Sequence, residues 1–123
     1  MNVSSESSFT VTSGTLVARP EKGWAVTLMG AGALEVLVRS LSIELAPVRV
    51  NVVSPGLIET EMTAGMIQQI RGAGMEQNMT LTNKLGQPTD VAESYLYIMK
   101  DKFITGTCVS TDGGRLMMGP SRA

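Results

Sequence analysis

Arg49-Val50-Asn51-Val52-Val53-Ser54-Pro55-Gly56 is the stretch whose reading decides the fold. With Val48 in front, it is dense in β-branched side chains, which suit a pleated backbone. Ser54-Pro55-Gly56 ends the strand, because proline removes a donor and glycine frees the turn. Upstream, Leu34, Leu37, Val38, Leu41 and Leu45 recur at helical spacing, with Val36 and Ile43 as a second apolar line. That pattern predicts a helix over 31–46, apolar on more than one side and therefore packed on two sides. Pro47 ends it, since a residue before proline avoids the helical region. Glu35 and Arg39 stand at i,i+4 and are expected to pair on the exposed side.

Working outward, Phe9-Thr10-Val11-Thr12 predicts a strand that stops at Ser13-Gly14, within about 8–13. Arg19-Pro20-Glu21-Lys22-Gly23 reads as a loop. The stretch from Glu59 to Leu85, with Gly65, Gly72, Gly74 and the methionines Met62, Met66, Met75 and Met79, reads as one or two short helices with mobile joints. Pro88 suits a helix start, and Val91, Ala92, Tyr95, Leu96, Ile98 and Met99 continue that helix to about residue 100. A last strand near 106–110 centres on Thr107-Cys108-Val109, and Asp112-Gly113-Gly114 turns it. Strands alternating with helices argue for an α/β layer with about three parallel strands and flanking helices. Two main helices barely cover both faces of such a sheet, so the chain reads as part of a larger layer.

Composition excludes several classes of function. The 123 residues suffice for one domain. A net charge of −1 suggests neither a nucleic-acid surface nor a membrane-attracted face. The chain has no histidine and one cysteine, Cys108, so histidine-dependent nucleophile pairs, histidine-ligated zinc sites and an internal disulfide are excluded. No metal site is expected. Cys108 is expected to be a buried strand residue and not a nucleophile. Apolar runs are broken within a few residues, so no transmembrane span is expected. The Ser-rich start lacks the features of a secretory signal, and a cytoplasmic protein is the default. Residues 1–8 are expected to be disordered, 9–118 to form the domain and 119–123 to be a tail.

Four segments resemble the short-chain dehydrogenase/reductase family. Residues 49–56 followed by Ile58-Glu59-Thr60 are similar to its strand and nicotinamide loop. Leu34-Glu35 through Glu44-Leu45-Ala46-Pro47 resembles the long helix before that strand. Gly86-Gln87-Pro88-Thr89-Asp90-Val91-Ala92 matches its late helix start, and Ile104-Thr105-Gly106 with Thr111-Asp112-Gly113-Gly114 its final strand and turn. The four stand in the family's order, and the likeness runs from about Phe9 to Leu116. Gly23-Trp24, Met99-Lys100-Asp101 and Gly113-Gly114-Arg115-Leu116 further resemble divergent fungal members.

The resemblance implies the C-terminal half of an NAD- or NADP-binding Rossmann-like domain acting on a small carbonyl or alcohol substrate. The family is about twice this length, and its first half supplies the glycine-rich turn that holds the cofactor pyrophosphate. Gly30-Ala31-Gly32 does not replace it, because the third glycine of that fingerprint would fall at Glu35. The family's proton-donating tyrosine, and the lysine four residues later, align with Thr27 and Ala31. Neither can do that work: threonine is a far weaker acid than a phenol, and alanine carries no charge. Ser13 matches the family's substrate-positioning serine; it equally fits a turn serine beside Gly14. Pro55, Gly56, Ile58 and Thr60 match the nicotinamide-side loop, with the carboxamide near Ile58 and a phosphate oxygen at Thr60. The same loop also reads as a strand-ending turn with Thr60 capping a helix. The methionines could line a substrate pocket under a lid, although adaptable packing is their commoner use. Isolated catalysis is not expected. Descent from an oxidoreductase stands beside a non-catalytic dimerisation module, since the family's long helix pairs with its symmetry mate. The 31–46 helix suits such a homo-oligomer.

Overall fold

The computed structural model describes residues 3–119. Three parallel strands, β1 (Ser8–Thr12), β2 (Arg49–Pro55) and β3 (Cys108–Thr111), form one sheet in the order β1-β2-β3. Ser8 pairs with Arg49 and Thr12 with Val53; Val52 pairs with Cys108 and Pro55 with Thr111. The parallel α/β layer expected from the alternation is therefore present. Its first crossover runs through α1 (Ala25–Glu44) on one side; its second runs through α2 (Ala64–Gly72) and then α3 (Pro88–Lys100), which packs on the other side.

The central strand is buried from Arg49 to Ser54, as a strand covered on both faces must be. Its alternation assigns the faces. Val50 and Val52 meet Val38 of α1, with Val11 and Leu41 packed against them. Arg49 and Asn51 point the other way. The Arg49 guanidinium donates to the carbonyls of Ile98 at 2.7 Å, Asp101 at 2.8 Å and Met99 at 3.3 Å, closing the C-terminus of α3, and to Ser5 at 3.1 Å. Asn51 donates to the Ile104 carbonyl at 3.1 Å and accepts from the Thr107 N–H at 3.2 Å. These two polar residues, each at most 4% exposed, fasten the α3–β3 connection to the sheet through a full set of partners.

Several sequence expectations are corrected. Helix α1 begins at Ala25, not residue 31, and Gly30 and Gly32 lie inside it. A helix tolerates such glycines at a cost of about 1 kcal/mol each. Of the expected apolar face only Val38 is buried, while Leu37 and Leu45 are exposed. Val36 and Ile43 of the second line are 61% and 80% exposed, so α1 is packed on one side. It is also long and apolar enough, by length and composition alone, to cross a membrane; here its buried stripe lies on the sheet. Glu35 and Arg39 do not form the expected ion pair, for Arg39 Nε donates to the Glu35 main-chain carbonyl at 3.3 Å. Cys108 is exposed, because it sits on an edge strand on the α1 side of the sheet. Burial of its side chain still raises its pKa, with the charge of Glu35 adding to the effect.

Within the 1–8 segment, the described residues carry structure where disorder was expected. Ser7 closes a turn on Ser4, the Arg49 N–H donates to the Ser7 carbonyl, and Glu6 pairs with Lys102. Residues 1–2, and 120–123 of the expected tail, lie outside the described residues.

Candidate active site at the strand C-termini

The C-terminal ends of the three strands meet in one place, where ligands of open parallel sheets bind. The Ser13 N–H donates to the Val53 carbonyl at 2.8 Å, and the Gly56 N–H to the Thr111 carbonyl at 2.9 Å. The Thr15 hydroxyl, buried, donates to the Pro55 carbonyl at 3.3 Å. Gly56 is required here by close approach: a Cβ would stand 2.8 Å from Asp112 Cα. The Asp112 carboxylate accepts from the Gly114 and Leu116 N–H groups, each at 2.9 Å. Gly113 and Gly114 take left-handed φ values of 60° and 79°, which other residues adopt only with strain.

Above this floor stands α1. The Ser13 hydroxyl donates to Glu35 Oε1 at 2.7 Å and lies 3.4 Å from the Ala31 carbonyl. Ser13 is thus at the site, against Ala31 and, one helical turn along α1, Glu35. Thr27 lies exposed a turn before Ala31. Tyr97 supplies no substitute acid, since its hydrogen bond to Asp101 raises its pKa where a neighbouring lysine would lower it. Tyr95 is on the α3 side, joined to the Thr12 hydroxyl. Glu35 was missed as a site residue because helical spacing directed attention along α1 to Arg39. No signal in the sequence pairs residues 13 and 35.

The loop after β2 is held from below. Glu59 N–H donates to Gly86 O at 2.8 Å and Gly86 N–H to Leu57 O at 3.1 Å. Thr63 Oγ1 donates to the Ile58 carbonyl at 2.5 Å and accepts from the Thr60 N–H at 3.0 Å. Thr60 therefore precedes the helical turn Glu61–Thr63 as a capping residue. Among the described residues no protein acceptor takes the Ile58 N–H. That free donor fits the carboxamide of a nicotinamide. Among the described residues Gly30 to Gly32 offer the pyrophosphate end no such fit, as they spend their N–H groups inside α1.

Arg71 locks the next segment by donating to both Glu59 oxygens, at 2.6 and 3.0 Å, and to both of Glu76. Hydrogen bonds from Arg71 and then Gln87 hold the Glu59 carboxyl below its ordinary pKa. A cavity of about 190 Å³ opens between Leu57, Ile58, Thr80, Thr82, Asp112 and Gly113. The methionines do not line it: Met62, Met66 and Met75 are exposed. Met79 is half-buried, with its sulfur 3.8 Å from the Arg115 guanidinium, and is the one of the four that takes the expected packing role.

A parallel layer with a serine after its first strand, a Pro-Gly loop after its second and a long helix over both is part of a Rossmann-type fold. The chain belongs to the short-chain dehydrogenase/reductase family. The family model described as an SDR-like Rossmann domain matches residues 1–118. The short-chain dehydrogenase/reductase ATR9 of Stachybotrys chlorohalonatus is 42% identical over 121 residues, spanning 95% of this chain and 47% of the relative. The short-chain dehydrogenase/reductase malC of Malbranchea aurantiaca is 39% identical over 123 residues, spanning 95% of this chain and 45% of that one. The solved structure described as the MalC reductase/Diels-Alderase superposes with a TM-score of 0.88 at 38% identity, over 96% of this chain and 46% of its own. A small-chain dehydrogenase in complex with NADPH superposes with a TM-score of 0.83 at 36% identity, over 92% and 52%. The chain spans about half the length of the relatives it matches.

Proposed function

We propose that these residues are the nicotinamide- and substrate-facing half of an NAD(P)-dependent oxidoreductase, and that the 123-residue chain alone does not turn over. The observation that carries this reading is the placement of Ser13 beside Ala31 and Glu35, with the free Ile58 N–H at the end of the next strand. Ser13, Pro55, Gly56, Ile58 and Thr60 are its site residues. Ser13 would contact the substrate, the Ile58 N–H the carboxamide, and Thr60 a cofactor oxygen once its cap is released. A bound nicotinamide would supply or accept hydride. The protein's part is to orient the reacting groups, and the acid is the part it lacks. The NADPH in a similar small-chain dehydrogenase and the reductase activity in the description of MalC support this assignment. A small carbonyl or alcohol substrate, a cytoplasmic setting, and no nucleic-acid or membrane partner complete the reading.

The test is NADPH consumption by the 123-residue chain with a panel of ketones and quinones. No consumption above the uncatalysed rate is expected; turnover would show that another group supplies the proton and that the cofactor is held without the glycine-rich turn.

The same reading includes a homo-oligomer through α1. Val26, Val36 and Ile43 leave that helix 82%, 61% and 80% exposed, an apolar surface that a second copy would remove from water. Sedimentation equilibrium is expected to give a multiple of the 13.1 kDa chain mass. A monomer at all concentrations would remove this part of the proposal.

A further inference from the structure

We propose that Glu35 and Ser13 form an anionic subsite that takes a cationic nitrogen group of the substrate. The inference deepens the reading above and rests on its assignment of Ser13 as the residue that meets the substrate.

Three observations lead to it. First, the Ser13 hydroxyl spends its proton on Glu35 Oε1, at 2.7 Å. A hydroxyl has one hydrogen to donate and two lone pairs to accept with. Held this way, Ser13 presents an acceptor to the substrate and cannot polarise a neutral carbonyl by donation. Second, the nearest formal charge is the carboxylate itself. The family's cationic residue aligns with Ala31, and among the described residues Glu35 takes part in no ion pair. Arg39, one turn along, gives its Nε to the Glu35 main chain. A carboxylate that is half-buried and lacks a cationic partner attracts a cation more strongly than one in bulk water. Third, there is access. Val52 faces α1, so its sheet partner Cys108 and the next residue but one, Ser110, face the same way. Both are exposed. They leave an open shelf on β3, beside the helix that carries Glu35. The negative charge of Glu35 and, with the opposite effect, the positive charge of Arg39 both reach the Cys108 thiol, which places the two side chains near that shelf.

The replacements fit together chemically. A neutral carbonyl needs an acid to polarise it, whereas an electrophile already carrying positive charge does not. The same site that has lost a phenol and an ammonium group has a carboxylate where a positive charge would be welcome.

The probe is choline, compared with its neutral isostere 3,3-dimethylbutan-1-ol, titrated into the isotopically labelled 123-residue chain and followed by amide NMR shifts. Choline is expected to give saturable shifts at Ser13, Ala31 and Glu35. The isostere should bind about tenfold more weakly or less, the ratio that one charge contact supplies. Glu35→Gln keeps an acceptor for Ser13 while removing the charge, and should abolish the preference; Glu35→Asp should keep part of it. Equal responses to the two probes in the wild type would overturn the proposal, as would no response to choline. An undiminished preference in Glu35→Gln would do so too. The comparison of probes on the wild-type chain decides the matter even if the variant fails to fold. Cofactor binding is measured separately, so failure here leaves the oxidoreductase reading standing, and the reverse also holds.

Discussion

Arg49→Met is expected to lower the stability of the fold by about 2–5 kcal/mol, a range typical of a buried charged hydrogen-bonding group that is removed. The side chain is 4% exposed and donates to four main-chain carbonyls. Three of these belong to the last turn of α3 and the residue after it, where helical carbonyls have no partner of their own. The guanidinium satisfies that helix end and also complements its partial negative charge. Methionine fills much of the same volume and donates nothing. The loss should therefore appear as unpaired carbonyls, not as a cavity. Circular-dichroism melts should show a fall on the order of 10 °C. A change within about 0.5 kcal/mol, the range of surface substitutions, would mean that water replaces the guanidinium freely and that α3 is not anchored through Arg49.

The second large effect concerns Thr27→Tyr combined with Ala31→Lys. In the 123-residue chain this double change is expected to produce no carbonyl reduction. General acid catalysis contributes about 10²–10⁴-fold, and positioning the hydride donor can contribute roughly 7–11 kcal/mol. Restoring the acid therefore leaves the larger deficit in place. Placed in a chain extended by a glycine-rich strand–turn–helix half, the same pair should raise NADPH consumption by about 10²–10⁴-fold over the extended wild type. Activity in the short double variant would mean that the loop from Pro55 to Thr60 holds the cofactor unaided. No gain in the extended form would mean that positions 27 and 31 are misaligned.

Most of the fold was legible because its centre is written in local terms. Val50, Val52 and Val53 specify a strand by branching alone, and Pro88 opens α3 at the residue where the helix begins. The start of α1 was hidden by Gly30 and Gly32, whose low helical propensity does not prevent the helix from running through them. The exposure of Cys108 was hidden as well, since a strand sequence does not say whether the strand lies at an edge. Residues 59–85 resisted reading because long-range partners hold them: Arg71 reaches Glu59 and Glu76, and Gly86 reaches the loop after β2. The site was half legible. Ser13 and the Pro55–Thr60 loop follow from motifs at strand ends, whereas the pairing of Ser13 with Glu35 joins residues 22 positions apart on different elements.

Isothermal titration of NADPH into the 123-residue chain tests the central claim most directly. The site offers the nicotinamide end a free N–H near Ile58 but gives the pyrophosphate no cradle, so no saturable heat is predicted at concentrations up to the millimolar range, where binding is worth only about 4 kcal/mol. A one-to-one isotherm with a dissociation constant in the low micromolar range would contradict the account.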